Sequence, residues 1–160
     1  MPLHFAYGSN MDAVAMARRC AGARARGQAF LPRHRFALMA DGFATVVRDP
    51  AAHVAGVLWE VGFGDLAALD RYEGVGQGAY IKISTPVLRE GAAPVRALVY
   101  VGVPEKSAGR APADYMEQIV AAARAQGLAP DYVDVLRRVG GEDVPDAPKK
   151  FRAIKIPVVR

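Results

Sequence analysis

Polar and apolar residues alternate over residues 79–89: Ile81, Ile83, Thr85 and Val87 take one side, Lys82 and Ser84 the other. A period of two predicts a half-buried strand, and Pro86 places it near an edge or a bulge. In residues 95–102 both sets are apolar, Val95, Ala97, Val99 and Val101 against Leu98 and Tyr100, so this strand is covered on both faces. Residues 53–61, HVAGVLWEV, form the strongest early strand. Gly56 inside it predicts the close approach of another backbone, or a bend. Shorter extended segments are predicted at 2–7, 28–31, 34–39 and 43–48, with Asp41-Gly42 as a hairpin signal between the last two.

The period lengthens to that of a helix in four places. The Ala-rich stretch Met11–Cys20 follows Tyr7-Gly8-Ser9-Asn10, with Ser9 or Asn10 as its N-cap and Asp12 in its first turn. Residues 64–72, GDLAALDRY, place Leu66 and Leu69 on one side and stop at Gly74; residues 74–78, GVGQG, read as a flexible loop. Residues 112–125 and 131–139 predict two helices broken at Gly127 and Pro130. Strands come first and helices last, which predicts an α+β fold: a small, mainly antiparallel sheet curled into a barrel with flanking helices. Residues 1–145 form one domain and 146–160 a basic tail, with an extended patch at 153–159.

Composition narrows the classes. The chain has 160 residues, 52% hydrophobic and 23% charged, which suits one globular domain with a real core. Its uncharged stretches are short and broken by Gly, so no membrane span is predicted, and MPLHFAYGSN has no secretory-leader pattern. A lone cysteine, Cys20, excludes a disulfide framework and a Cys-based zinc site and fits a reducing, cytoplasmic setting. The net charge is +5, with six arginines against Asp12 in residues 1–40 and five basic residues with no acid in 149–160. The tail reads as a solvated, solubilising segment. It lacks the aromatic–basic interleaving and the motifs of a nucleic-acid binder, so no specific nucleic-acid partner is expected.

Several chemistries have no sequence support. There is no P-loop, no GxGxxG opening a helix, no HExxH and no GxSxG elbow. Cys20 reads as structural, although Arg18 and Arg19 beside it would lower its pKa. Two segments remain. Tyr7-Gly8-Ser9-Asn10 lies at a strand-to-helix junction, where Gly8 permits unusual backbone angles and close ligand approach. Free N–H groups at the start of a helix favour a carboxylate or a developing oxyanion. Glu73 lies where a short helix meets a Gly-rich loop, a place where desolvation can turn a carboxylate into a useful base. Each also has a plain structural reading, a helix cap for the first and a solvated helix end for the second.

Together the segments are more specific. FAYGSNM, AGVLWEV, LDRYEGV, GAYIKI, ALVYV and PADYMEQIVAAARAQGLAPDYVDVL occur in that order over residues 4–139. In this they resemble the γ-glutamylcyclotransferase family. The resemblance implies a small antiparallel barrel with flanking helices, and a cyclotransferase acting on a γ-glutamyl amide or peptide. The substrate's α-amine attacks its own γ-carbonyl, releasing 5-oxoproline and a free amine. Glu73 falls on the family's general acid/base. Tyr7, Gly8, Ser9 and Asn10 fall on the loop that binds the glutamyl part, and Tyr115 on a tyrosine opening the late helix. Tyr80 and Tyr100 match strand tyrosines that either pack in the barrel or line the cavity. The reaction calls for no cofactor and no metal, only a small-molecule γ-glutamyl substrate. The Arg-rich stretch and the tail, which border the amine side or a subunit contact, admit a homodimer. The alternative reading is a non-catalytic small-ligand-binding module of the same fold, which would have no need of an acid at Glu73.

Overall fold

The computed structural model describes residues 1–103 and 109–145. The basic tail and its extended patch lie outside the described residues. Five strands close into a barrel: β1 (Leu3–Ala6), β2 (Arg24–Leu38), β3 (Ala44–Glu60), β4 (Tyr80–Arg89) and β5 (Ala92–Gly102). Their order around the barrel is β1-β3-β2-β4-β5. All neighbours are antiparallel except β1 and β5, which meet in parallel through a single pairing, His4 with Leu98. Among the described residues, four helices surround it: α1 (Ala13–Arg19), α2 (Phe63–Tyr72), α3 (Tyr115–Ala125) and α4 (Pro130–Val139). The predicted α+β barrel is the observed architecture.

The early strands differ from expectation in length. The three short segments at 28–31, 34–39 and 43–48, and the strand at 53–61, are two long strands. β2 runs through Pro32 and Arg33, and β3 runs through Pro50. Their register shifts between Pro32 paired with His53 and His34 paired with Arg48, where Arg33 takes φ 57. Prolines cannot donate to the ladder, so they collect at an irregularity. In the sequence such a bulge looks like a strand end; in the fold it bends a continuous strand. Gly56 behaves as predicted: a Cβ there would collide with the Ala6 carbonyl oxygen and sit 2.8 Å from the Phe5 ring. That close packing brings β1 onto β3 and carries the Tyr7–Asn10 segment to the barrel's rim.

β5 is covered on both faces, as its pattern predicts, with Val99 and Tyr100 both buried. The core joins Phe5, Leu31, Val54, Val57 and Val99 of the barrel with Ile119 and Ala123 of α3 and Val133 and Leu136 of α4. Each large aliphatic or aromatic side chain so buried contributes about 1.5–3 kcal/mol. Pro130 occupies the first turn of α4, where its missing N–H costs nothing. The α3 helix starts at Tyr115, three residues later than predicted, because Asp114 takes a left-handed conformation at φ 62.

Candidate active site

The turn after β1 is built differently from the expected cap. Ser9–Met11 form one 3-10 turn, and Asp12, not Ser9 or Asn10, caps α1: its Oδ1 accepts the Ala15 N–H at 2.7 Å. With the cap supplied by Asp12, the Ser9 and Asn10 side chains are free to turn toward α2. Gly8 takes φ −122 and ψ −131, outside the regular strand and helix regions, in keeping with the freedom expected of it. A Cβ there would lie 3.7 Å from Ala44 Cβ and 4.0 Å from Tyr115 Oη. Glycine at this position keeps space open.

Glu73 follows α2 as its C-cap, its N–H returning to the Leu69 carbonyl at 2.8 Å. Gly74 then turns left-handed at φ 64, a conformation that glycine adopts without a Cβ penalty, and ends the helix. Leu69, fully buried, anchors this last turn against the barrel. Residues 74–78, expected as a flexible loop, form a 3-10 turn at Val75–Gln77 between two left-handed glycines, Gly74 and Gly78.

The two segments meet. Asn10 Nδ2 donates to Glu73 Oε1 at 2.9 Å. Asn10 Oδ1 accepts from Arg19 Nη1, and Arg19 Nη2 donates to the Tyr72 hydroxyl at 2.7 Å. The guanidinium carbon lies 3.6 Å from the Tyr72 ring centroid. Burial pushes the Glu73 carboxyl up to about 7, against the charge of Arg19 and the Asn10 hydrogen bond, which both hold it down. A carboxyl near neutrality can both accept and return a proton.

A narrow cleft open to solvent lies beside Glu73 and is walled by Tyr7, Tyr80, Tyr100 and Tyr115. Tyr7 donates to the Tyr100 carbonyl at 2.6 Å. Tyr80 and Tyr115 grip one peptide group: Tyr80 Oη donates to the Ala44 carbonyl at 2.6 Å, and Tyr115 Oη accepts the Ala44 N–H at 3.0 Å. Tyr115 therefore keeps its own hydroxyl proton available. Burial raises all four phenols, Tyr115 to about 12, so they stay neutral donors.

All six residues singled out from the sequence, Glu73, Tyr7, Gly8, Ser9, Asn10 and Tyr115, line this one cleft, and so do Tyr80 and Tyr100. Cys20 does not, and it is buried and unactivated, in keeping with its structural reading. Burial and the Asp65 charge push its thiol up to about 11, more than Arg19 pulls it down. Three participants carried no sequence signal as site residues. Arg19 lay among many arginines, and Tyr72 and Asp70 sat inside a segment read for Glu73 alone. Asp70 binds Lys82 Nζ at 2.7 Å and accepts the Tyr100 hydroxyl at 2.6 Å. Among the described residues, no three His, Cys, Asp or Glu side chains gather as metal ligands would.

Known proteins resemble this chain to different extents. A solved gamma-glutamyl cyclotransferase superposes with a TM-score of 0.82 over 91% of this chain and 92% of its own, at 25% identity. The human gamma-glutamylcyclotransferase is 29% identical over 102 residues, 64% of this chain and 54% of the relative. The mouse protein of the same name is 29% identical over 98 residues, 61% of this chain and 52% of the relative. The chain thus spans about half the length of the curated relatives it matches. The sequence model of the AIG2-like family matches residues 53–136, more than half of the chain and including Glu73, Tyr80, Tyr100 and Tyr115. On that match, and on a barrel shared almost end to end with a solved relative, the chain belongs to the AIG2-like family.

Proposed function

We propose that this protein is a γ-glutamyl cyclotransferase that converts a γ-glutamyl amide or peptide to 5-oxoproline and a free amine. The observation that carries the reading is Glu73, a carboxyl raised to about 7 and placed beside a tyrosine-walled cleft. The human and mouse relatives bear the name of this activity. A cytoplasmic setting accords with the buried free thiol of Cys20.

In this reading the Tyr7–Asn10 turn receives the glutamyl part. The first amides of a helical turn have no acceptor within it and suit the α-carboxylate. Glu73 takes a proton from the α-ammonium. The amine nitrogen attacks the γ-carbonyl carbon, a C–N bond forms, and the ring closes. Tyr115 donates its free hydroxyl proton in a hydrogen bond to the carbonyl oxygen as that oxygen gains charge. Glu73 then gives that proton to the leaving nitrogen as the original amide bond breaks, takes the second proton that the ring nitrogen sheds on becoming a lactam N–H, and passes it to the departing amine, which leaves as an ammonium. Nucleophile and electrophile belong to one molecule. The effective molarity of well-oriented intramolecular attack, about 10⁵ M or more, replaces a protein nucleophile.

The test is incubation with a panel of γ-glutamyl amines, amino acids and peptides, with 5-oxoproline as the readout. Release of 5-oxoproline from at least one member, with kcat/KM rising on the acid side through about pH 7, is the expected result. Binding of 5-oxoproline without turnover of any member would leave a ligand-binding module of the same fold.

A further inference from the structure

The hydrogen bonds around Asn10 have a direction set by chemistry. A guanidinium has donors only, so the atom of Asn10 that meets Arg19 Nη1 is the amide oxygen. The amide nitrogen must then face Glu73, and it donates to Oε1. An oxygen receiving that N–H keeps its lone pair engaged, and a proton on Oε1 would confront the Asn10 donor. Oε2 has no hydrogen-bond partner among the described residues. Arg19 is itself held in place by the Tyr72 ring and hydroxyl and by Ser9 Oγ at 3.4 Å.

We propose that Arg19 is a positioning residue for the Glu73 carboxyl. Through the Asn10 amide it confines the exchangeable proton of Glu73 to Oε2, the oxygen left for the cleft, and it places a fixed positive charge one hydrogen-bonded residue away from this carboxyl. The proposal rests on the function assigned above for its kinetic part only. Among the described residues, the other groups around Glu73 supply no positive charge that acts on it. Tyr7 of β1, Tyr80 of β4, Tyr100 of β5 and Tyr115 of α3 are neutral at pH 7. Tyr72 and Asp70 share its helix, and Asp70 is bound to Lys82. Among the described residues, Arg19 is the cation acting on Glu73.

Arg18 is a built-in control, because it is exposed, adjacent and equally charged. The experiment follows the Glu73 side-chain carboxyl by ¹³C NMR across pH in the full chain, beside 5-oxoproline release. Wild type titrates near 7. Arg19→Ala moves the titration upward by about one pH unit or more, as expected on removing an opposite charge close by, and lowers kcat at least about tenfold. The acid limb of kcat/KM moves with it. Arg18→Ala changes neither. Arg19→Lys keeps the charge and loses the planar fork, so its titration stays with wild type while kcat falls with little change in KM. This variant also carries the test if Arg19→Ala fails to fold. An unmoved titration in Arg19→Ala, an equal movement in Arg18→Ala, or wild-type kcat in Arg19→Lys would overturn the proposal. A titration that moves in Arg19→Ala in a protein that releases no 5-oxoproline would sustain the positioning role and sink the assigned function.

Discussion

The final turn of α2 carries two carboxylates three residues apart that live in opposite surroundings. Asp70 faces the barrel wall, where burial would raise its carboxyl but the Lys82 ion pair and the Tyr100 hydroxyl outweigh it and hold it below the usual range. Glu73 meets one amide donor and a row of phenols, and burial wins. The same helix therefore offers one carboxylate committed to charge and one poised between its two states. What separates them is burial against charge: Asp70 has Lys82 and the Tyr100 hydroxyl to offset its desolvation, whereas at Glu73 desolvation exceeds what Arg19 and the Asn10 amide return.

The sharpest way to break the contrast is Glu73→Gln. The substitution preserves shape and removes the proton carrier, so 5-oxoproline release should fall by about 10²–10⁴, with 5-oxoproline affinity and the circular dichroism spectrum retained. Wild-type turnover in this variant would remove Glu73 from the chemistry. Next in size is Gly8→Val, which adds atoms between Ala44 and Tyr115. It should cost about 1–3 kcal/mol of binding, seen as a roughly tenfold or greater loss in kcat/KM, without a fall in melting temperature. If the variant binds 5-oxoproline as wild type does, the turn is not where the glutamyl part sits.

Asp70→Asn tests the other carboxylate. The ion pair with Lys82 is about a third exposed on each side, so its loss with that of the Tyr100 bond should cost only about 1 kcal/mol of stability. Turnover should fall no more than a few-fold. A collapse of turnover to the level of Glu73→Gln would mean that the two carboxylates act as one unit. The smallest effect is in stability against pH. The folded-state pKa of Glu73 lies above its unfolded value, so the native state binds more protons than the unfolded chain between about 4.5 and 7. Stability from this group therefore declines as pH rises through that window. Glu73→Gln should melt a few degrees above wild type at pH 8 and level with it at pH 4; an advantage that persists at pH 4 would assign the gain to packing instead. His4 has the opposite sign. It is buried, depressed to about 4 and held neutral, so the stability it contributes is present above its unfolded value of 6.5 and drains away as pH falls toward 4.

Much of this was legible in the chain because local patterns carry it. The strands at 79–89 and 95–102, the helix ending before Gly74 and the helix opening at Pro130 each follow from period and punctuation. The two bent strands did not, because Pro32 and Pro50 mark bulges with the same residues that mark strand ends. The cap of α1 was misplaced because Ser9, Asn10 and Asp12 all suit the position by chemistry, and only the turn geometry chooses Asp12. In the site, Tyr7–Asn10 and Glu73 were visible as motifs. Arg19 and the Lys82–Asp70–Tyr100 cluster were invisible, since their meaning lies in partners 9 to 53 residues apart that the barrel brings together.

The single parallel pairing between His4 and Leu98 sets an order of events during folding. The β2–β3 and β4–β5 hairpins can form from chain neighbours, whereas β1 must wait for residue 98 before the ring closes. Contacts of such long separation pay their loop-closure entropy late. The Tyr7 bond to Tyr100 spans 93 residues and belongs to that closing step, whereas the Asn10 bond to Glu73, which spans 63, needs only β1 on β3. A chain arrested before the last seam zips would hold most of its hydrogen-bonded sheet and the acid in place, but a cleft without its Tyr7–Tyr100 wall.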